Sequence, residues 1–184
     1  MVLYFSKFYD NILITNGGYV MELRDLYDAN KCVTGKTFVK GEQVPKGYYY
    51  LIVAIYIQNS KGEFLIQKRV ERKGGKWATT AGHPKTGESS LEGLLTEVNE
   101  EIGIDLRNDN PILFETWNKF DQFFDIYYLK KDIDLNEIKI QEEEVDGVRW
   151  ASIDEIKEMY KNGEFHEGHY IMFEKCLSYL NKEN

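Results

Sequence analysis

Residues 82–104 read GHPKTGESSLEGLLTEVNEEIGI. Between Gly82 and Gly103 stand Glu88, Glu97, Glu100 and Glu101, in a chain that already carries a net charge of −8. Ser89 and Glu92 have the S-x-x-E spacing of a capping box, so a helix is expected to start there. Gly103 is placed as the left-handed residue that ends it. Leu91, Leu94, Leu95, Val98 and Ile102 recur at three- and four-residue steps and predict one buried face. Glu97, Glu100 and Glu101 fall at i, i+3 and i+4, which predicts a second, shared face. Like charges at those spacings cost roughly 0.2–0.5 kcal/mol per pair. A hard divalent cation such as Mg²⁺ or Mn²⁺ turns that repulsion into coordination. An acidic helix face is ordinarily just solvated, so the helix alone does not decide between the two readings.

Outward from this helix, the chain alternates strand and turn signals. MELRDLYDANKCVTGKTFVKG (21–41) predicts two strands around Asp28-Ala29-Asn30. YYYLIVAIYIQNSKGEFLIQKRV (48–70) predicts a hairpin turning at Asn59-Ser60-Lys61-Gly62. KWATTAG reads as a short strand that ends at a glycine. ILFETWNKF and QFFDIYYLK read as a strand pair about Asp121, and VDGVRWAS as a last strand. SIDEIKEMYKNG, with Ser152 and Glu155 as a second capping box, and HYIMFEKCLSYL have helical spacing. Strands mixed with three helices predict an α/β sheet covered on both faces.

The 184 residues are 42% hydrophobic and 29% charged, the balance of a globular domain. No apolar run reaches membrane-spanning length. Lys7 and Asp10 interrupt the N-terminal apolar residues, so no signal peptide is read. The acidic balance argues against a nucleic-acid polymer as partner. Cys32 and Cys176 lack metal-type spacing and read as free thiols of a cytoplasmic protein. The domain pattern is complete over 21–184. Residues 1–20 are an extension, read either as an N-terminal strand or as a leader translated from an early start, since Asn16–Val20 can be encoded with a purine-rich tract just before the Met21 codon.

The stretch 82–104 resembles the Nudix box, G-x5-E-x7-R-E-U-x-E-E-x-G-U with U aliphatic. Gly82, Glu88, Glu97, Val98, Glu100, Glu101, Gly103 and Ile104 match it. A chance match is on the order of one in 10⁵ for a chain of this length. The resemblance covers roughly residues 45–160 and implies the Nudix fold, a mixed β-sheet sandwiched between helices. It also implies hydrolysis of a diphosphate bond in a small organic, often nucleoside, diphosphate, with Mg²⁺ or Mn²⁺ as cofactor and often as a homodimer. Carried over, Glu97, Glu100, Glu101 and the carbonyl of Gly82 are metal ligands, and Glu88 braces the loop. Either Glu100 or Glu97 is the general base. Glu144, in the loop before the last strand, is a further ligand or simply part of a solvated acidic loop. Arg69, His83 and Lys76 are candidates for substrate binding. The default for Arg72, Lys73 and Lys76 taken singly is a solvated surface, and for Trp77 it is packing.

Thr96 occupies the position of the box arginine, which normally braces the loop glutamate. Threonine lacks the charge and is expected to lack the reach, so either Lys85 takes over the brace or the chain is a non-catalytic Nudix-fold binding protein. WATTAGHP is similar to the Gly-His-Pro region of isopentenyl-diphosphate isomerases, but Ala81 replaces their proton-transferring cysteine. The preceding strand also lacks their metal-binding histidines, which places an isomerase below a hydrolase. His166 and His169, three residues apart, read as packing at a helix start.

Overall fold

A computed structural model describes residues 7–9, 12–14 and 20–183. The expected extension over residues 1–20 therefore lies largely outside the described residues. Two short strands within it, β1 (Lys7–Tyr9) and β2 (Ile12–Ile14), join β3 (Val20–Tyr27) and β4 (Val33–Val39) in an antiparallel sheet running in chain order. The second sheet holds β5 (Tyr50–Gln58), β6 (Phe64–Arg69), β7 (Trp77–Ala78), β8 (Thr80–Gly82), β9 (Ile112–Lys119), β10 (Gln122–Lys130) and β11 (Val145–Ala151). Its order is β11-β6-β5-β10-β9, with β7 paired to β6 and β8 to β5. Only β5 and β10 run parallel, so the sheet is mixed.

Period-two alternation along β5 decides which helix covers which face. Val53, Ile55 and Ile57 face α1 (Ser90–Ile102), which brings Leu94, Val98 and Ile102 to them. Ala54 and Tyr56 face the other way, towards α2 (Ile153–Lys161) and α3 (Glu167–Glu183). There Ile156, Met159, Phe173 and Cys176 close the second layer of core. Each aliphatic side chain buried in this way contributes about 1.5–3 kcal/mol. This is the helix–sheet–helix sandwich expected from sequence. Among the described residues no helix is long and apolar enough to cross a membrane.

Both capping boxes form. Ser89 accepts from the Glu92 amide and Ser152 from the Glu155 amide, while each glutamate bonds back to the cap amide. Gly103 takes φ 70°, and Lys139 packs so close that a Cβ would meet its Cβ at 2.8 Å and its backbone at 2.9 and 3.2 Å. One expected core residue is not buried: Leu91 is 41% exposed. It sits in the first turn of α1, before the helix has tucked against β5.

The first sheet is tied to the segment that carries the acidic residues. The Thr86 amide donates to the Leu23 carbonyl at 3.2 Å and the Gly87 amide to Asp25 Oδ2 at 2.8 Å. Buried Asp125 accepts from Thr116 Oγ1 at 2.7 Å and Ser90 Oγ at 2.5 Å, and pairs with Lys31 from the β3–β4 turn. The start of α1, the β9–β10 pair and the N-terminal hairpin therefore meet on one carboxylate.

Candidate active site

Strand β8 ends at Gly82 and the chain crosses residues 83–89 into α1, so the start of the loop faces the middle of the helix. Gly82 has no side chain to obstruct that approach. A Cβ there would stand 2.0–2.4 Å from the carboxylate atoms of Glu97. The Glu97 carboxylate fills that space and accepts from the His83 amide at 3.0 Å. One turn on, Glu101 is only 8% exposed and accepts from Gln67 Nε2 at 2.7 Å. Gln67 in turn accepts from Thr80 Oγ1 at 2.9 Å. This relay from β8 through β6 fixes the orientation of the Glu101 carboxylate.

The three box glutamates do not share one face. Glu97 and Glu101, four apart, enter a cavity of about 490 Å³, whereas Glu100 is not on its wall. Glu100 turns outward, 44% exposed, and pairs with Lys85. A helix advances 100° per residue, so position 100 stands a quarter-turn from 101 and clears the cavity rim. Glu144, from the loop before β11, lines the cavity and is ion-paired with Lys73. Gly82, His83 and Arg69 also line it. Lys76 lies on the wall of an adjoining hollow instead.

Thr96 does reach the loop glutamate, contrary to the expectation from its length. Its Oγ1 donates to Glu88 Oε1 at 2.8 Å, and the Lys85 amide donates to Glu88 Oε2 at 2.7 Å. A threonine suffices because the loop brings Glu88 directly over the first turns of α1. Lys85 contributes to the brace through its backbone, while its ammonium serves Glu100.

Burial first, then the neighbouring Glu101 charge, pushes the Glu97 carboxyl up to about 7, against the pull of the His83 amide. Burial likewise raises Glu101, with the Gln67 bond opposing it. Two carboxylates held one turn apart with little exposure to water repel, and a hard cation is the partner that relieves such a pair. The donor set of Glu97, Glu101, Glu144 and the Gly82 carbonyl is all oxygen, which suits Mg²⁺ or Mn²⁺. As the side chains stand, no three acidic, histidine or cysteine groups among the described residues converge at ligand spacing. The Lys73 ammonium instead holds Glu144.

His83 is pushed down to about 4 by burial and then by Arg24, Lys40 and Lys73, and its ring stacks on Tyr50 at 5.4 Å. A neutral imidazole at that position is a hydrogen-bonding wall rather than a charge. The cavity continues away from the acids past Trp117 and Phe124, themselves stacked at 5.0 Å, to Phe120 and to His166 and His169 of the α3 entry. The two histidines, read from sequence as helix-start packing, thus form part of the cavity wall. Ala81, at the position of the isomerase thiol, lines the cavity without a reactive group.

The comparisons agree with this geometry. The family model for the NUDIX domain matches residues 49–176. The chain belongs to the Nudix family. An uncharacterized Nudix hydrolase of Listeria monocytogenes, lmo0368, is 33% identical over 150 residues, spanning 79% of this chain and 88% of that protein. An isopentenyl-diphosphate Delta-isomerase of Pectobacterium atrosepticum is 36% identical over 83 residues, 43% of this chain and 46% of its own. Among solved structures, DR0079 from Deinococcus radiodurans superposes with a TM-score of 0.69 at 16% identity, covering 83% of this chain and 98% of that one. That last likeness is one of fold. The chain is therefore a Nudix hydrolase, with the cavity at its box helix as the candidate site.

The sequence reading missed Gln67, Thr80, Lys40 and Trp117 as parts of this site. Gln67 carried a signal: it extends the apolar run FLI of β6 with a polar side chain, and it is 4% exposed. A buried amide needs partners, and here they are Glu101 and Thr80. The other three are distant in sequence and meet only through the sheet.

Proposed function

We propose that this Nudix hydrolase cleaves a diphosphate bond in a small organic, nucleoside-type diphosphate, in the cytoplasm, with Mg²⁺ or Mn²⁺ as its cofactor. The observation that carries the reading is the pair of half-buried Glu97 and buried Glu101, set in a cavity also lined by Lys40, Arg69 and Lys73. Negative side chains alone would repel a diphosphate, and positive ones alone would not need buried acids. Both together suit a substrate that arrives with a cation.

Glu101, Glu97, Glu144 and the Gly82 carbonyl would hold that cation. When bound, it offsets phosphate charge and makes water more acidic. Glu97 faces the cavity and takes the proton of the attacking water, ahead of Glu100, which Lys85 holds outside. Arg69 and Lys40 bind phosphate oxygens, Lys73 leaves Glu144 to join them, and neutral His83 donates or accepts a hydrogen bond at the cavity floor. The aromatic end, Trp117 and Phe124, takes the ring of the group X. Because Thr96 keeps Glu88 braced, the site has the support that a catalytic box requires, which favours hydrolase over binding protein.

The test is metal-dependent phosphate release across a panel of organic diphosphates, coupled to a phosphatase. Isopentenyl diphosphate belongs in the panel with isomer formation followed by NMR. Isomerisation without hydrolysis would overturn the proposal.

A further inference from the structure

Beside the acidic cavity lies a second hollow of about 410 Å³. Lys73, Lys119, His166, Gly168 and Ile171 wall both spaces, so the hollow is a side chamber of the main cavity. Its remaining wall adds Lys76 and one carboxylate, Glu167. Three ammonium groups therefore face a single acid, in a chain whose net charge is −8. Among the described residues Lys73 is already paired with Glu144, as Lys40 is with Glu22 and Lys85 with Glu100. Lys76 and Lys119 have no carboxylate partner among the described residues, and the Lys119 ammonium lies only against the Phe120 ring at 5.5 Å.

The α3 side of the hollow is also donor-rich. His166 immediately precedes the helix and its carbonyl accepts the Tyr170 amide, so the amides of the first turn have no partner within the helix. Of the two histidines whose Nδ1 atoms are buried with no hydrogen-bond partner, His166 lines the hollow and His169 lines only the main cavity. Burial, then Arg69 and Lys76, keeps His166 below its ordinary pKa. Unpaired ammoniums and free amides together suit a ligand with several acceptor oxygens and more than one negative charge.

We propose that this chamber binds a phosphate carried by the group X itself, so that the preferred substrate bears a phosphoryl group in addition to the diphosphate that is cleaved. The inference rests on the proposed hydrolase reading, in which the acidic cavity holds the diphosphate. Lys73 stands between the two spaces and serves both ends of the substrate. Lys119, like Lys73, stands where the two spaces meet, and Lys76, which lines the hollow alone, serves only the distal phosphate.

The test uses pairs of compounds that differ by one phosphate: NADP and NAD, and coenzyme A and its dephospho form. Affinities are measured by calorimetry with Ca²⁺ present, and turnover is measured separately with Mg²⁺. In at least one pair the phosphorylated member is expected to bind about tenfold tighter or more. In Lys76→Ala, which touches the hollow alone, that advantage falls several-fold, while affinity for the unphosphorylated member stays within about twofold. No preference in any pair, or a preference unchanged in Lys76→Ala, overturns the inference. Selective binding with no cleavage of any compound would leave the chamber standing and refute the hydrolase reading. Cleavage without selectivity would do the reverse.

Discussion

Gly82→Ala adds one carbon to the site and should separate folding from function. The new Cβ would stand 2.0 Å from the Glu97 carboxylate carbon and 2.1 and 2.4 Å from its oxygens. Ordinary contacts lie at about 3.5–4.0 Å, so the carboxylate must retreat by about 1.5 Å. That movement breaks the 3.0 Å bond from the His83 amide. Gly82 is not among the residues with positive φ, so its backbone accepts alanine without strain. The displaced group is the end of a flexible side chain, and its move also relieves repulsion with Glu101. The loss of one charge-assisted hydrogen bond, about 1.5–3 kcal/mol, is thus partly offset, and stability should change by no more than about 1–2 kcal/mol. Function should change far more, because a 1 Å misplacement in a catalytic site costs about 10²-fold in rate. Urea denaturation reads the first effect, Mn²⁺ calorimetry and phosphate release the second. Gly147→Ala, with nothing within 4 Å of its Cβ, is the control. Wild-type Mn²⁺ affinity and turnover in Gly82→Ala would refute the assignment of Glu97 to this space.

Other perturbations follow from the same contacts. Thr96→Val removes the 2.8 Å bond to Glu88 at nearly constant volume; it should cost about 1 kcal/mol in urea denaturation and lower kcat/KM several-fold, on the order of the factor that 1 kcal/mol represents. Thr96→Arg should gain nothing in Mn²⁺ affinity, since the brace already exists. Asp125→Ala leaves Lys31, Ser90 and Thr116 without their common acceptor, so it should lower stability by about 3 kcal/mol, read as a shift in the urea midpoint. His169 is held down at about 3 by burial, then by His166 and Arg69. Its depressed pKa leaves stability full above pH ~6.5, where the unfolded imidazole is neutral. Stability then falls as pH drops towards 3, because only the unfolded chain takes the proton, with a slope of at most ~1.4 kcal/mol per pH unit. His169→Gln should flatten the stability curve between those limits in a pH series of urea melts.

The elements were legible where sequence signals are local. The S-x-x-E boxes at Ser89 and Ser152 marked helix starts, and the turns at Asn59–Gly62 and Asp121 marked hairpins, because capping and turn chemistry act within four residues. The Gly82–Ile104 spacing located the site. Its orientation was less legible. The i, i+3, i+4 pattern put Glu97, Glu100 and Glu101 on one side of a cylinder, but the cavity rim passes between Glu100 and Glu101, and that boundary is set by β8 and β6. The reach of Thr96 depended on how far the loop folds back over the helix, and loop curvature is not written in periodicity. The chamber beside α3 joins Lys73 and Lys76 to Lys119 and His166, which only the tertiary packing brings together.

The central claim is that the cavity-facing acids, rather than the box glutamates in general, perform metal-dependent diphosphate hydrolysis. The most direct measurement is Mg²⁺- or Mn²⁺-dependent phosphate release from a panel of organic diphosphates, with Glu97→Gln and Glu100→Gln compared against the wild type. The account predicts turnover that requires the added cation, falls by about 10²-fold or more in Glu97→Gln and falls much less in Glu100→Gln. Loss confined to Glu100→Gln, or turnover that persists in Glu97→Gln, would contradict it.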